Sequence, residues 1–251
     1  VPIPGATGNQ LAITAAAPLK DNGWYDVVVT SGSQKSYSFP FWVLVKVPTR
    51  LAYWGRDEHV RNLPGGSGSL VQVAGGHAHA LGLREDGTVV SWGYDADGRR
   101  SLPSGLKGAV GIAAGAAHSL VLLEDGSVVG VGSAGHQIAA QIPADLGRVV
   151  SLTAGWKHSA ALRQDGSVMV WGDNAYGQTE VPSLASSVIM VAPSGSDHMG
   201  PNHLLVLRAD GTPVAWGSNG AGQTNVPQSL GPVIGVAVGA MASGVVKADG
   251  T

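Results

Sequence analysis

From residue 70 onward, short segments in which apolar and polar or small residues alternate recur between glycine-rich turns. "VQVAGG" and "HALGLRE" precede an Asp-Gly pair, "TVVSWG" follows it, and similar series recur further along the chain. Alternation with a period of two predicts β-strands. Asp-Gly predicts a tight hairpin, because glycine accepts the positive φ that such a turn requires. The pattern therefore predicts an all-β chain of short hairpins.

The series recurs about five times. The Asp-Gly pairs are 39, 40, 45 and 39 residues apart and lie at Asp86-Gly87, Asp125-Gly126, Asp165-Gly166, Asp210-Gly211 and Asp249-Gly250. A repeat of about 40 residues with three or four short strands is typical of one propeller blade. A single sheet cannot bury both of its faces, so such sheets must stack. The sequence therefore predicts β-propeller blades.

Each repeat carries the same marker residues. The returning strand ends at Trp92, Val131, Trp171 and Trp216 in turn. Seven residues before the Asp stands His79, His118, His158, His203 or, in the fifth copy, Ala242. Three residues earlier stands Gly76, Gly115, Gly155, Gly200 or Gly239. We expect each Trp to fill the gap between neighbouring sheets, and each His to begin a middle strand and hydrogen-bond neighbouring backbone.

The segment "GWKHSAALRQDGSVMVWGDNAYGQ" resembles the repeat of the RCC1 family, in the compact form found in bacterial secreted proteins. The resemblance covers about residues 50–251 and implies a β-propeller, which in this family usually has seven blades. The last repeat stops at "KADGT", and Leu51–Gly55 resembles the strand that it lacks. Two hypotheses stay open: a five-bladed ring closed by exchange of that strand, and a fragment of a seven-bladed ring in a longer protein. The family norm favours the second.

Residues 1–48 do not share the repeat and are predicted to form a domain separate from residues 49–251. They resemble the last three strands of an immunoglobulin-like β-sandwich. Leu11–Ile13 would be one strand, Asp21, Gly23 and Tyr25 match the motif at the start of the next, and Phe41–Val47 would be the last. Such a partial sandwich leaves strand edges unpaired. Three hypotheses stay open: the segment packs on the propeller, further residues of the same domain precede it in the natural protein, or another chain completes it, as in self-association through this segment.

Composition narrows the classes of function. The chain has 13% charged residues and a net charge of -2, with no Lys/Arg-rich run, so we expect no nucleic-acid partner. Cysteine is absent, which excludes disulfides and a Cys nucleophile. The longest apolar run, at 39–47, is too short to span a membrane. No G-x-S-x-G, Walker or H-E-x-x-H motif occurs, so we predict neither an enzyme nor a metal or cofactor site.

Binding through propeller loops is the function that remains, because aromatic and arginine side chains in loops make effective anchors for a partner. The candidate residues are Tyr94, Arg99, Arg100, Trp156, Lys157, Tyr176 and, in the extra residues of the fourth repeat, Asp197 and His198. We predict a non-catalytic, structural or adhesive protein that is secreted or on the bacterial cell surface and binds protein or glycan. The alternative is a secreted enzyme inhibitor of the β-lactamase-inhibitor type, which the family resemblance implies.

Overall fold

The computed structural model describes four short strands between residues 23 and 43, and then residues 70–95, 98–132, 141–194 and 202–249. The chain divides into two compact units, Val1–Thr49 and Arg50–Thr251. All the described elements are strands, which confirms the predicted all-β class. Among these residues there is no helix of the length and hydrophobicity that a membrane crossing needs.

The first unit contains two antiparallel strand pairs. Its strands are β1 (Gly23–Tyr25), β2 (Val28–Ser31), β3 (Gln34–Tyr37) and β4 (Phe41–Val43). Strand β1 pairs with β4, and β2 pairs with β3. Strand β4 begins where the last strand was predicted, whereas Leu11–Ile13 lies outside the described residues. The immunoglobulin-like assignment stays a prediction.

The second unit repeats one antiparallel sheet. The first two sheets are β5 (Leu70–Gly75), β6 (His79–Arg84), β7 (Val89–Gly93), and β8 (Ala109–Ala114), β9 (His118–Leu123), β10 (Val128–Gly132). The next two are β11 (Val149–Ala154), β12 (His158–Arg163), β13 (Val168–Gly172), and β14 (Val188–Pro193), β15 (His203–Arg208), β16 (Pro213–Gly217). The fifth is β17 (Val233–Val238) with β18 (Ser243–Lys247). The second strand is central in each three-stranded sheet, which confirms the predicted repeat.

Four of the five Asp-Gly pairs form hairpin turns as predicted, and Gly250 of the fifth pair lies outside the described residues. Gly87, Gly126, Gly166 and Gly211 have φ values of 75°, 83°, 79° and 81°. In the first turn, Asp86 Oδ1 accepts hydrogen bonds from the Thr88 amide at 2.9 Å and from the Thr88 hydroxyl at 2.6 Å. The Gly87 carbonyl accepts from the Ala109 amide of the second sheet at 3.0 Å. Each turn is therefore closed locally and anchored to the next sheet.

The tryptophans lie in equivalent buried positions on the third strands of their sheets. Trp92, Trp171 and Trp216 are 4%, 7% and 7% exposed and pair across the hairpin with Ala80, Ser159 and Leu204. Trp171 packs on Leu120 and Leu122 of the second sheet, and Trp216 packs on Leu162 and Val170 of the third. The predicted indole packing between consecutive sheets is therefore confirmed for Trp171 and Trp216, whereas Trp92 clusters with Leu70 and Val90 of its own sheet.

The structure corrects the register of one marker glycine. In three sheets the amide of Gly76, Gly115 or Gly155 donates to the carbonyl of the following histidine. In the fourth sheet the donor to the His203 carbonyl is Ser194, at 2.9 Å, so Ser194 and not Gly200 occupies this position. The Ser194 hydroxyl also accepts from the His203 amide at 2.9 Å. The extra residues of this repeat therefore follow Ser194.

We predict that Trp216→Ala lowers the free energy of unfolding by about 3–5 kcal/mol, because it leaves a large cavity between the third and fourth sheets. Chemical denaturation followed by circular dichroism measures this value. Leu184→Ala is the matched control, since Leu184 is 67% exposed and should change the unfolding free energy by less than about 0.5 kcal/mol. Equal effects of the two substitutions would contradict the packing described here.

Candidate functional site at the loop end

One end of the repeat unit is built from two kinds of loop. The loops before the middle strands meet the turns after the third strands, because the Tyr94 amide donates to the Ala78 carbonyl at 2.7 Å and the Asp173 amide donates to the Lys157 carbonyl at 2.9 Å. We call the described residues of this region the loop face: residues 76–78, 94–95, 98–100, 115–117, 155–157 and 173–178. The Asp-Gly turns lie at the other end of the strands.

Three consecutive sheets are tied together across the loop face. The Arg99 guanidinium lies over the Tyr94 ring, 5.4 Å from its centroid, and Arg99 Nη1 donates to the Ala116 carbonyl of the second sheet at 2.8 Å. The Ala116 amide in turn donates to the Trp156 carbonyl of the third sheet at 3.2 Å. These contacts link the loops of the first three sheets to one another.

An aromatic pair crosses the same loops. The rings of His77 and Trp156 meet edge to face, with centroids 4.8 Å apart and an angle of 66° between their planes. His77 belongs to the first sheet and Trp156 to the third. The loop of the second sheet has only small side chains at the corresponding positions, Ala116 and Ala117, and this leaves room for the two rings to meet.

The candidate residues that the structure describes all lie at the loop face, but their solvent exposure differs. Tyr94 and Tyr176 are 49% and 46% exposed, whereas Arg99 and Trp156 are buried. Arg100 and Lys157 are half-buried, and Arg100 Nη1 donates to the Gly93 carbonyl at 2.7 Å. Arg99 and Arg100 therefore brace the turn as well as contributing charge. Their role in partner binding stays a prediction.

Two candidates and one additional residue need separate mention. Asp197 and His198 lie outside the described residues. His77 is exposed at the loop face, and sequence reasoning missed it. Its place in the Gly–His loop, equivalent to that of Trp156, was the signal that could have identified it.

Beneath the loop face, buried histidines link one sheet to the next. His79, His118 and His203 begin middle strands, as predicted, and their Nε2 atoms lie 2.9 Å from serine hydroxyls of the following sheet. The pairs are His79–Ser119, His118–Ser159 and His203–Ser243. We call these contacts the His–Ser rungs. Each serine directly follows the marker histidine of its own repeat or, in the case of Ser243, the alanine that replaces it.

A histidine beside a serine is also the arrangement that activates a serine nucleophile, but the surroundings of the rungs favour a role in packing. Ser119 Oγ donates to the Arg99 carbonyl at 2.7 Å, so it accepts its other hydrogen bond from His79 Nε2, and the Nδ1 atom of that histidine is unprotonated. Ser119 is fully buried. Its hydroxyl proton is already donated to a carbonyl, and a substrate cannot reach it. Among the described residues, no three metal-ligating side chains come together either.

A comparison with known families matches these repeats. The model of the regulator of chromosome condensation (RCC1) repeat matches residues 70–99, 109–137 and 149–178. The chain carries RCC1 repeats. Its three matched segments contain the marker glycines Gly76, Gly115 and Gly155 and the three histidines that follow them. A search of curated protein sequences found no match.

Solved structures place these RCC1 repeats in the β-propeller fold. Human WBSCR16 has a TM-score of 0.60 at 22% identity, over 72% of this chain and 61% of that protein. The ectodomain of the Physcomitrella patens receptor kinase CR4 has a TM-score of 0.58 at 19% identity, over 72% and 50%. Prp20p from Saccharomyces cerevisiae has 0.56 at 20%, over 83% and 58%. The chain spans between half and about three fifths of these structures, and the likeness concerns the fold.

Burial favours the neutral form of three of the buried histidines by lowering their pKa values. Burial, reinforced by the nearby Arg99 guanidinium, lowers the pKa of His79 to about 4. Burial also lowers the pKa of His158 to about 4, although the Asp173 carboxylate opposes the shift. The pKa of His203 is lowered for the same main reason. Neutral imidazoles suit the rungs, since a protonated ring between apolar sheets would lose its hydration.

We predict that the propeller loses stability as the pH falls from 7 to 5. In this range the unfolded chain, with histidine pKa values near 6.5, takes up protons that the folded chain excludes until about pH 4. His79 and His158 should each contribute about 2 kcal/mol of this loss at pH 5. Urea denaturation at pH 7, 6 and 5 measures the slope.

His79→Gln is the control for the pH dependence. Its amide is not titratable and should remove about 2 kcal/mol from the change between pH 7 and pH 5. The Asp-Gly aspartates do not account for this slope, because hydrogen bonds from Thr88, Ser127, Ser167 and Thr212 lower their pKa values. Unfolding free energies that do not change between pH 7 and pH 5 would refute the assignment.

Proposed function

We propose that this chain is a non-catalytic binding propeller whose loop face engages a protein partner. The observation that carries the proposal is the combination at that face of exposed rings with a preformed scaffold. Tyr94 and Tyr176 are exposed aromatics on turns whose backbone is fixed by internal hydrogen bonds. Ordered aromatic side chains lose little entropy on binding, which makes them effective anchors.

The turn of the third sheet illustrates this order. The Tyr176 amide donates to Gln178 Oε1 at 2.8 Å, and Gln178 Nε2 donates to Asp173 Oδ2 at 2.7 Å. The Thr179 amide donates to Asn174 Oδ1 at 2.9 Å. Gln178 is fully buried, so the turn has a rigid base. The exposed Tyr176 ring is therefore presented on a backbone that needs no rearrangement to bind.

Charge at the loop face also favours a polar partner. Lys157 follows Trp156, and no contact of its ammonium group is found among the described residues. By contrast, Asp95 Oδ1 accepts from the Arg100 amide at 3.0 Å, and Glu180 Oε1 accepts from Asn174 Nδ2 at 3.3 Å. The carboxylates are thus partly used within the turns, while the lysine is available to a partner.

Related structures agree with this class of function. Prp20p is described by its binding to Gsp1p and histones, and yeast RCC1 was solved with Kap60 bound. We extend to this chain only the class, a protein-binding propeller. Glycan binding, an adhesive role and a secreted or bacterial cell-surface location belong to the same proposal and rest on the resemblance of the sequence.

The alternative function is a secreted inhibitor of an enzyme such as a β-lactamase. The observation that favours it is the His77–Trp156 pair in the Gly–His loops, where the resemblance implies aromatic contact residues. The Trp156 ring is 8% exposed, however, so it offers little area for insertion into an active site. Titration against a panel of β-lactamases decides this: inhibition at nanomolar concentration would support the inhibitor role.

We predict position-dependent crosslinking to a partner. A photo-crosslinking amino acid at position 94 or 176 should join the chain to a partner protein from its native secreted or surface fraction. The same group at position 184, which is more exposed but belongs to the connection between the third and fourth sheets, should not. Crosslinks from position 184 alone would contradict the loop-face proposal.

We further predict that Tyr94→Ala and Tyr176→Ala each weaken the crosslinked complex about tenfold or more while leaving the unfolding free energy within about 0.5 kcal/mol. Surface plasmon resonance with the identified partner measures the affinity. Leu184→Ala should be as stable as the parent chain, because Leu184 is exposed, and it should bind the partner with the parent affinity. If the chain binds a glycan array and no protein partner is found, the ligand is a glycan and the proposal of a protein partner is wrong.

A further inference from the structure

One of the four described joints between sheets lacks the His–Ser rung. The joints between the first and second, second and third, and fourth and fifth sheets each have one. Between the third and fourth sheets, Leu204 occupies the position that Ser119, Ser159 and Ser243 occupy in their sheets. A leucine offers no hydroxyl to the histidine of the preceding sheet.

The consequence is a buried imidazole with no hydrogen bond. His158 is fully buried, and neither of its ring nitrogens has a partner. Its ring is also turned relative to the others. Cε1 and Nδ1 of His79 and His118 face the marker glycines Gly76 and Gly115, whereas Cε1 and Nε2 of His158 face Gly155. The joint without the serine therefore differs from the others in the orientation of the histidine ring as well as in its hydrogen bonding.

The rest of this joint is firmly packed. Leu162, Val170 and Leu204 belong to one apolar cluster that spans both sheets. Trp216 Nε1 donates to the Gln178 carbonyl at 2.9 Å, which keeps the third strand of the fourth sheet tied to the third sheet. At the Asp-Gly end, the Val188 amide donates to the Gly166 carbonyl at 2.9 Å. Only the part around His158 lacks its usual polar link.

A buried polar group without a partner loses its hydration and gains nothing in return. The free energy of opening should therefore be lower around His158 than at the joints that have a rung, because the ring regains hydrogen bonds when it reaches water. Proteins open locally where such segments have a low free energy of opening. The carbonyl of Ser194 lies next to Gly155, and the extra residues of the fourth repeat follow Ser194. The segment that opens would therefore border this insertion.

We infer that the third–fourth joint is a local conformational hinge at the loop end, in which the segment around Gly155, His158 and Ser194 opens and closes while the remaining strands stay packed. The loop that carries Trp156 and Lys157 moves with this segment. The loop face therefore has a rigid part on the first and second sheets and an adjustable part beside the fourth. This inference stands on the packing alone and does not depend on the proposed partner.

Amide hydrogen exchange, followed by NMR, tests the hinge in the full chain. The amides of Gly76, Gly115, Gly155 and Ser194 make equivalent bonds to histidine carbonyls. In the parent protein the Gly155 and Ser194 amides should exchange about tenfold faster than those of Gly76 and Gly115, because an unsatisfied buried group favours opening. Equal exchange at all four amides would overturn the inference.

Two pairs of variants assign the cause. Leu204→Ser supplies the hydroxyl and Leu204→Ala removes the same apolar contacts without supplying one, so the serine variant should exchange about tenfold more slowly at Gly155 than the alanine variant. His158→Leu should slow exchange there, whereas His118→Leu, which breaks an existing rung, should accelerate it at Gly115. The inference fails if the serine and alanine variants exchange alike. It also fails if both histidine substitutions accelerate exchange.

Discussion

The fold of the repeat unit depends on the fact that none of its sheets can bury its own faces. Each sheet has two or three short strands with apolar residues on both sides, and its neighbours in the chain supply the missing cover. Trp171 and Trp216 show the geometry, since each indole lies on apolar side chains of the preceding sheet. The repeat spacing, the hairpin turns and the orientation of the loop face all follow from this stacking.

Polar links then fix the stacking that apolar packing leaves loose. Apolar contacts tolerate sliding, whereas a buried imidazole that must meet a hydroxyl sets one relative position for two sheets. The marker glycine is part of the same contact between sheets. At Gly76 or Gly115 a side-chain carbon would collide with the histidine ring and the next sheet's backbone. Glycine, histidine and serine of adjacent repeats thus act as one unit. Leu204 and Ser194 depart from it, and both lie on the fourth sheet's side of the third–fourth joint.

The loop face joins this internal order to the surface. Arg99 is part of the fold, since it is buried and donates to the Ala116 carbonyl of the next sheet, and it also orders the exposed Tyr94 ring. The same side chain therefore stabilises the turn and presents the anchor. Arginine and tryptophan in a loop suggest a binding residue in the sequence, but Arg99 and Trp156 are buried. Such residues can support the loops without contacting a partner themselves.

Most of the fold was readable in the sequence, because its signals are local. The period-two alternation, the Asp-Gly turns and the equivalent tryptophans depend on residues close together in the chain, and all appear in the structure as predicted. The register of Ser194 was not readable, since Gly200 also fits the spacing and only the hydrogen bond to His203 distinguishes them. The tertiary structure alone decided the His–Ser rungs and the His77–Trp156 pair, because their partners come from different repeats and meet only when the sheets stack.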